Sequence, residues 1–246
     1  MLISCNNTSF GYDGHIIVKN LNFTINSGDF LCVAGENGCG KTTLIRGLLR
    51  LLNPMEGTIT FNPKLVKTSI GYLSQESITK KDFPAGVFEI VMSGNLAKMG
   101  LRPFYKPTEK RIANEHMQQL GIVDLKNRCF RELSGGQQRR VLLARSLCAA
   151  NVRTHGHSQS LLVLDEPFSG LDPLISGELY KLLKNISRQI GITIIMVSHD
   201  IEAADCATHA LHLQKRQVFF GSMEEYRQSE TGKRFFTKLD KGADNV

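Results

Sequence analysis

Tryptophan is absent from the 246 residues, proline occurs 7 times, and only 7% of the chain is aromatic. Glycine is not scarce, at 22, and the hydrophobic and charged fractions, 41% and 22%, are those of an ordinary globular chain. That balance excludes disordered, collagen-like and mucin-like classes, and the length supports one large domain or two small ones around a buried core. No stretch approaches the roughly 20 apolar residues of a membrane-crossing helix. The densest aliphatic run is only Ile192 to Val197. Met1 to Phe10 carries Asn6, Asn7 and Thr8, and no positive charge precedes Lys19, so the basic start and apolar centre of a signal peptide are missing. A soluble, intracellular chain is expected, unless another subunit holds it at a membrane. The cysteines, Cys5, Cys32, Cys39, Cys129, Cys148 and Cys206, never form Cys-x-x-Cys, which argues against a zinc or disulfide framework and for reduced thiols. A long basic run is also lacking. The net charge of +7 fits nucleic acid, anionic lipid or a phosphate ligand without choosing among them, and the densest positive cluster is Arg139, Arg140 and Arg145.

What is present alternates between two patterns. Ile16 to Ile25 and Phe30 to Ala34 read as strands, the second apolar throughout, as in a strand buried on both faces. A helix is expected from Lys41 to Leu52, stopped by Asn53-Pro54. Further strands are expected around 58–61 and 69–73. A helical block follows from about 85 to 150, with helices at 87–99, 108–120 and 136–149. Strands at 161–164 and 192–197 then flank an amphipathic helix along 174–190. Apolar strands alternating with helices predict an α/β fold with a parallel sheet, into which the block at 85–150 is inserted. The last stretch, 222–246, is charged and glycine-spaced, and a short helix followed by a frayed tail is expected.

Gly35-Glu36-Asn37-Gly38-Cys39-Gly40-Lys41-Thr42 matches G-x-x-x-x-G-K-[ST], between a buried strand and an amphipathic helix. Its glycines let the backbone turn N–H groups toward a polyphosphate, and the helix start adds its positive dipole end. Lys41 supplies an ammonium for the β- and γ-phosphates and Thr42 a hydroxyl for Mg²⁺. Far downstream, Leu161 to Leu164 ends in Asp165-Glu166-Pro167. A carboxylate there can hold Mg²⁺ or its water, and its neighbour can act as general base. His199 follows the strand at 192–197, at the edge where parallel sheets bind ligands; taken alone it reads as a buried core histidine or as a hydrogen-bond donor to a γ-phosphate.

Leu133-Ser134-Gly135-Gly136-Gln137 resembles the signature sequence of ATP-binding-cassette (ABC) ATPases, and the family's other motifs occur in its order over about residues 1–220. Tyr12 resembles the aromatic residue that stacks on adenine. Gln75 resembles the glutamine of the loop between subdomains. Ser169-Gly170-Leu171-Asp172 resembles the loop facing a partner cassette, and His199 matches the switch histidine. The resemblance implies a P-loop NTPase core with an N-terminal antiparallel β subdomain and an inserted helical signature subdomain, in a single domain over 1–225 with a tail over 226–246. It implies ATP and Mg²⁺ as ligands. Nucleotide contacts fall to Tyr12, Gly35, Asn37, Gly38, Cys39, Gly40, Lys41, Thr42, Thr43, Ser134, Gly135, Gly136, Gln137 and Asp172. Magnesium falls to Thr42, Gln75 and Asp165, and catalysis to Glu166 with Gln75 and His199. Ser134 is expected to cap the helix starting near Gly136, making a second anion site. One phosphate loop and one signature per chain imply a homodimer of cassettes, or pairing with a similar subunit.

Asp82 to Gly94 resembles the coupling region of zinc/manganese-type metal importers, and Asn127 to Glu132 and Met99 to Phe104 are most similar to the zinc branch. The resemblance implies a peripheral ATPase on the cytoplasmic face of the membrane, with transmembrane permease subunits docking near Phe83–Phe88. An extracytoplasmic metal-binding protein would be an indirect partner, and nucleic acid would not be one. Phe83, Val87 and Phe88 are expected to form an exposed apolar patch. The alternatives are an iron-chelate or other ABC transporter, or a soluble ABC ATPase. Three departures stand out. Arg139, where the family often has Gln, is expected to change the charge near the anion site without disabling it. Cys39 is expected to have its thiol pKa lowered by the helix end, so that alkylation blocks ATP. The stretch 150–160 is long and carries His155 and His157, too few ligands for a structural zinc site and read as a polar surface loop.

Overall fold

The computed structural model describes residues 1–66, 69–75, 84–150, 152 and 159–243, with side chains as far as 237. Its elements in chain order are β1 (Ile3–Tyr12), β2 (His15–Ile25), β3 (Phe30–Gly35), α1 (Lys41–Leu48), β4 (Glu56–Phe61), β5 (Ile70–Leu73), α2 (Val87–Ser93), α3 (Leu96–Met99), α4 (Pro107–Gln119), α5 (Gly135–Ala149), β6 (Leu161–Asp165), α6 (Pro173–Ile190), β7 (Thr193–Val197), α7 (Ile201–Cys206), β8 (His209–Leu213), β9 (Gln217–Ser222), α8 (Met223–Gln228) and α9 (Glu230–Ala243). Two compact units share them: Met1–Lys64 with the chain from Ile194 onward, and Leu65–Thr193.

In the first unit, β1 pairs antiparallel with β2 and β4, aligning Ile3 with both Ile25 and Phe61. Asp13-Gly14 turns the β1–β2 hairpin, as such pairs do. Beside this sheet, β3 runs parallel to β7, pairing Phe30 with Ile194, and parallel to β8, pairing Leu31 with His209. Both β3 and β7 are buried along their whole length, which is why they read as unbroken apolar runs. The edge strand β9 lies antiparallel to β8.

The expected helix over 41–52 ends at Leu48 instead. Arg50 takes a left-handed φ of 59°. Its N–H bonds the Gly47 carbonyl at 3.0 Å, and the Leu51 N–H bonds the Arg46 carbonyl at 2.9 Å. This is a Schellman closure, with Arg50 in the place glycine normally takes. Arg50 also lies over the Phe61 ring, 4.1 Å from its centroid, a cation–π contact that offsets part of the left-handed cost.

The second unit pairs β5 parallel with β6, Ile70 against Leu161. Helix α5 is its centre, with ten buried residues and the Ser146 hydroxyl donating to the Tyr72 carbonyl at 3.2 Å. The helix expected over 87–99 is two, α2 and α3, interrupted at Gly94-Asn95. The amphipathic helix over 174–190 is α6, capped by Asp172, whose carboxylate accepts the Leu174 N–H at 2.9 Å.

The tail is a further difference. Residues 226–243 complete α8 and form α9. Tyr226, only 1% exposed, packs against Phe219, Phe235 and Phe236, and its hydroxyl meets His212 Nδ1 at 2.7 Å. The adjacent Phe235 and Phe236 of α9 pack against a core cluster that includes Cys32, Ala210 and Met223. Charge and glycine content concealed this anchor.

Candidate active site

The phosphate loop leaves the C-terminal end of β3, whose last residue, Gly35, pairs with Leu213 of β8. Gly35, Gly38 and Gly40 have φ of 145°, 77° and 105°, values unfavourable to any side chain. At Gly40 a methyl group would also lie 2.9 Å from Val18 Cβ, so the loop lies tight on β2. Lys41 opens α1 and is 7% exposed. Its Nζ donates to the Gly35 and Glu36 carbonyls, at 2.7 and 3.0 Å, which holds the ammonium inside the curl of the loop. Thr42 is exposed and Thr43 buried, so only the first hydroxyl is open to solvent and to a cation. Tyr12, at the end of β1, accepts from Arg46 Nη1 at 3.1 Å, and the guanidinium sits 5.7 Å from its ring centroid. That contact fixes an aromatic face in the same unit as the loop.

His199 follows β7 and borders a cavity of about 680 Å³, also lined by Gly35, Glu36 and Asn37 of the loop and by His212 and Arg234. Loop and histidine thus line one cavity, and His212 and Arg234 supply a wall that the sequence motifs do not mark. Strand β8 carries His209 and His212 among apolar residues, and that interruption hid it as a strand. Burial pulls the His212 imidazole below its ordinary value, favouring the neutral ring.

The expectation for Cys39 is corrected. Its side chain is 6% exposed and burial pushes its thiol upward, outweighing the nearby Lys41 ammonium, which acts in the opposite direction. At pH 7.5, alkylation by iodoacetamide is expected to label the partly exposed Cys129 well before Cys39. Mass spectrometry of peptides over a time course checks this; labelling of Cys39 first would restore an activated thiol.

In the second unit, Asp165 ends β6 and is 8% exposed. Glu166 follows with φ of 47°, left-handed for a non-glycine residue. Gln75 Nε2 donates to Glu166 Oε2 at 2.7 Å, so two residues 91 apart in sequence meet side chain to side chain. Ser134 is the N-cap of α5. Its hydroxyl accepts the Gln137 N–H at 3.4 Å, and its own N–H reaches Gln137 Oε1 at 3.1 Å, a reciprocal capping box. The first-turn amides of Gly135 and Gly136 lie ahead of any intrahelical acceptor, as at every helix start, and so offer donors to an anion. Gly136 packs on α6, where a methyl group would fall 2.8 Å from Ile175 Cγ2.

One further expectation changes, and one residue proves more enclosed than its charge suggests. Arg139 is 2% exposed, and its Nη2 donates to the Ser169 carbonyl at 3.4 Å. The apolar patch at 83–88 is not formed by Val87 or Phe88. Val87 is fully buried at the start of α2, its N–H bonded to the Arg128 carbonyl at 3.0 Å, while Phe88 lies under the Lys126 ammonium, 4.2 Å from the ring centroid. Exposed apolar side chains instead cluster in sequence at Leu96, Leu101 and Phe104. Phe83, His155 and His157 lie outside the described residues. Among the described residues no group of three or more His, Cys, Asp or Glu side chains is arranged to hold a metal ion by itself.

Residues 18–169 match the ABC transporter family, a span that runs from β2 through the phosphate loop and the signature to the carboxylates after β6. The chain belongs to the ABC transporter family. It is the ATP-binding and ATP-hydrolysing part of such a transporter. It is 34% identical to the zinc uptake system ATP-binding protein ZurA of Listeria innocua, over 92% of this chain and 88% of that one. It is 30% identical to the manganese transport system ATP-binding protein MntB of Bacillus subtilis, over 90% and 87%. Among solved structures it is similar to cbiO1 of Clostridium perfringens, part of the ABC transporter complex cbiONQ, with a TM-score of 0.78, 27% identity and coverage of 95% and 93%. The cassette's α/β fold, with a parallel core and an antiparallel N-terminal sheet, is thus that of the family. Among the described residues no helix is long and apolar enough to cross a membrane.

Proposed function

We propose that this cassette powers uptake of a divalent metal ion, zinc or manganese, from the cytoplasmic face of a membrane. The cargo assignment is supported by the similarity to ZurA and MntB, whose names specify those two metals. In this reading two copies pair head to tail, transmembrane permease subunits carry the ion, and an extracytoplasmic binding protein delivers it. The exposed Leu96, Leu101 and Phe104 suit a contact with a permease better than the buried Val87.

The observation that carries the chemistry is the Gln75–Glu166 hydrogen bond at 2.7 Å. It orients a carboxylate whose second oxygen takes the proton of an attacking water, while the Gln75 carbonyl remains for a cation or that water. Lys41 binds the β- and γ-phosphates alongside the amides of Gly35, Asn37, Gly38, Cys39, Gly40, Thr42 and Thr43. The donor set suits Mg²⁺, which takes one or two carboxylates and otherwise keeps waters and phosphate oxygens. Within the second unit Gln75 and Asp165 would hold it, and it would neutralise charge developing on the phosphates. Tyr12 stacks on the adenine, His199 donates to the γ-phosphate, and the signature turn of Ser134, Gly135, Gly136 and Gln137 closes over the partner's γ-phosphate. Asp172 fixes the loop that faces the partner by capping α6.

Total zinc, manganese, iron and cobalt in a strain lacking this protein, grown with scarce metals, test the cargo. A selective fall in zinc or manganese is the expected result. A fall in iron alone assigns an iron-chelate transporter, and no change in any metal overturns the uptake role.

A further inference from the structure

Within the Leu65–Thr193 unit, the signature end of α5 is tied to the segment after Glu166 at three points. A methyl group on Gly135 would lie 3.2 Å from Leu171 Cδ2, and one on Gly136 would lie 2.8 Å from Ile175 Cγ2. The third tie is Arg139, one turn further along α5. Its Nη2 donates to the Ser169 carbonyl at 3.4 Å, while Nε and Nη1 are buried with no hydrogen-bond partner among the described residues. Burial lowers its pKa to about 10, and no ion pair to it occurs among the described residues.

A buried cation with so few partners costs stability, and an apolar replacement of similar volume is commonly neutral or stabilising. Its contact explains why it stays. The Ser169 N–H and hydroxyl both point back to the Glu166 carbonyl, at 3.4 and 3.2 Å. Glu166 is left-handed, at φ 47°, a conformation that persists only where surroundings over-determine it. Arg139 holds the far side of that turn.

We infer that Arg139 is a positioning residue for the general base: it clamps Ser169, and through Ser169 the backbone that aims Glu166, onto the signature helix. This inference rests on the reading of Glu166 as the base.

Steady-state ATP hydrolysis and thermal unfolding of the full chain with Mg-ATP test it, using Arg139→Met, Ser169→Ala and the double variant. Arg139→Met is expected to lower kcat about tenfold to a hundredfold, the range for displaced catalytic geometry. KM for ATP is expected to stay within about twofold, as for an interaction made in the transition state. Tm is expected to hold or rise by about 2 °C or more, because an under-bonded charge leaves the core. In the double variant the two losses in kcat are expected to be less than additive, since both pass through one turn. A lower Tm with kcat and KM moving together, full additivity, or wild-type kcat in Arg139→Met would each overturn the role. Glu166→Gln in the same assay separates the two readings. Lost turnover there beside wild-type kcat in Arg139→Met overturns the Arg139 role alone; wild-type turnover in Glu166→Gln overturns the base.

Discussion

Glu166→Gln is expected to bind Mg-ATP as the wild type does and to hydrolyse it about a thousandfold more slowly, within the range for loss of general-base catalysis. The substitution is nearly isosteric. The Gln75 amide that donates to Glu166 Oε2 at 2.7 Å still finds a carbonyl oxygen in the same place, so the geometry survives and only the basic oxygen is lost. An ATP-bound dimer should therefore accumulate. Its species would appear in size-exclusion chromatography with Mg-ATP and vanish with ADP. Wild-type turnover in this variant would remove Glu166 from the reaction. Loss of turnover without an ATP-dependent dimer would keep the base and remove the head-to-tail pairing.

Lys41→Ala is expected to abolish measurable nucleotide binding at concentrations that saturate the wild type. Truncating one member of a buried, hydrogen-bonded charge contact costs about 2–5 kcal/mol, a factor of roughly thirty to several thousand in affinity. A second cost arises before ATP arrives. The Lys41 ammonium closes the loop on the Gly35 and Glu36 carbonyls, at 2.7 and 3.0 Å, and alanine leaves both without that donor. Equilibrium binding of a fluorescent ATP analogue measures the first effect, and Tm without nucleotide the second. Wild-type affinity would contradict the phosphate role; reduced affinity at unchanged Tm would confine the effect to the ligand.

These two expectations draw on different sources. The Lys41 role was legible as a local string, because a phosphate loop is built from consecutive residues whose backbone does the binding. The Gln75–Glu166 bond joins distant positions, and no local pattern announces that contact. The family resemblance named both residues, while their hydrogen bond came from folding the chain. The Ser134 cap was legible for the same local reason, since a capping box spans four residues. Arg139 went the other way. It belongs to the densest positive cluster of the sequence, which gives no sign of burial, yet α5 is the centre of its unit and leaves that position 2% exposed.

By itself, the sequence determined what depends on adjacent residues: the phosphate loop, the carboxylates ending an apolar strand, the capped signature turn and the alternation of buried strands with helices. Local chemistry suffices there, because backbone geometry and burial on both faces constrain each short segment directly. Only the tertiary structure decided which side chains lie inside. It buried Val87 and Arg139, ended α1 at a left-handed Arg50, raised the Cys39 thiol by taking it out of water, and anchored α9 through Tyr226, Phe235 and Phe236. Burial is a property of the surface a segment meets after folding, so residues far away in the chain set it.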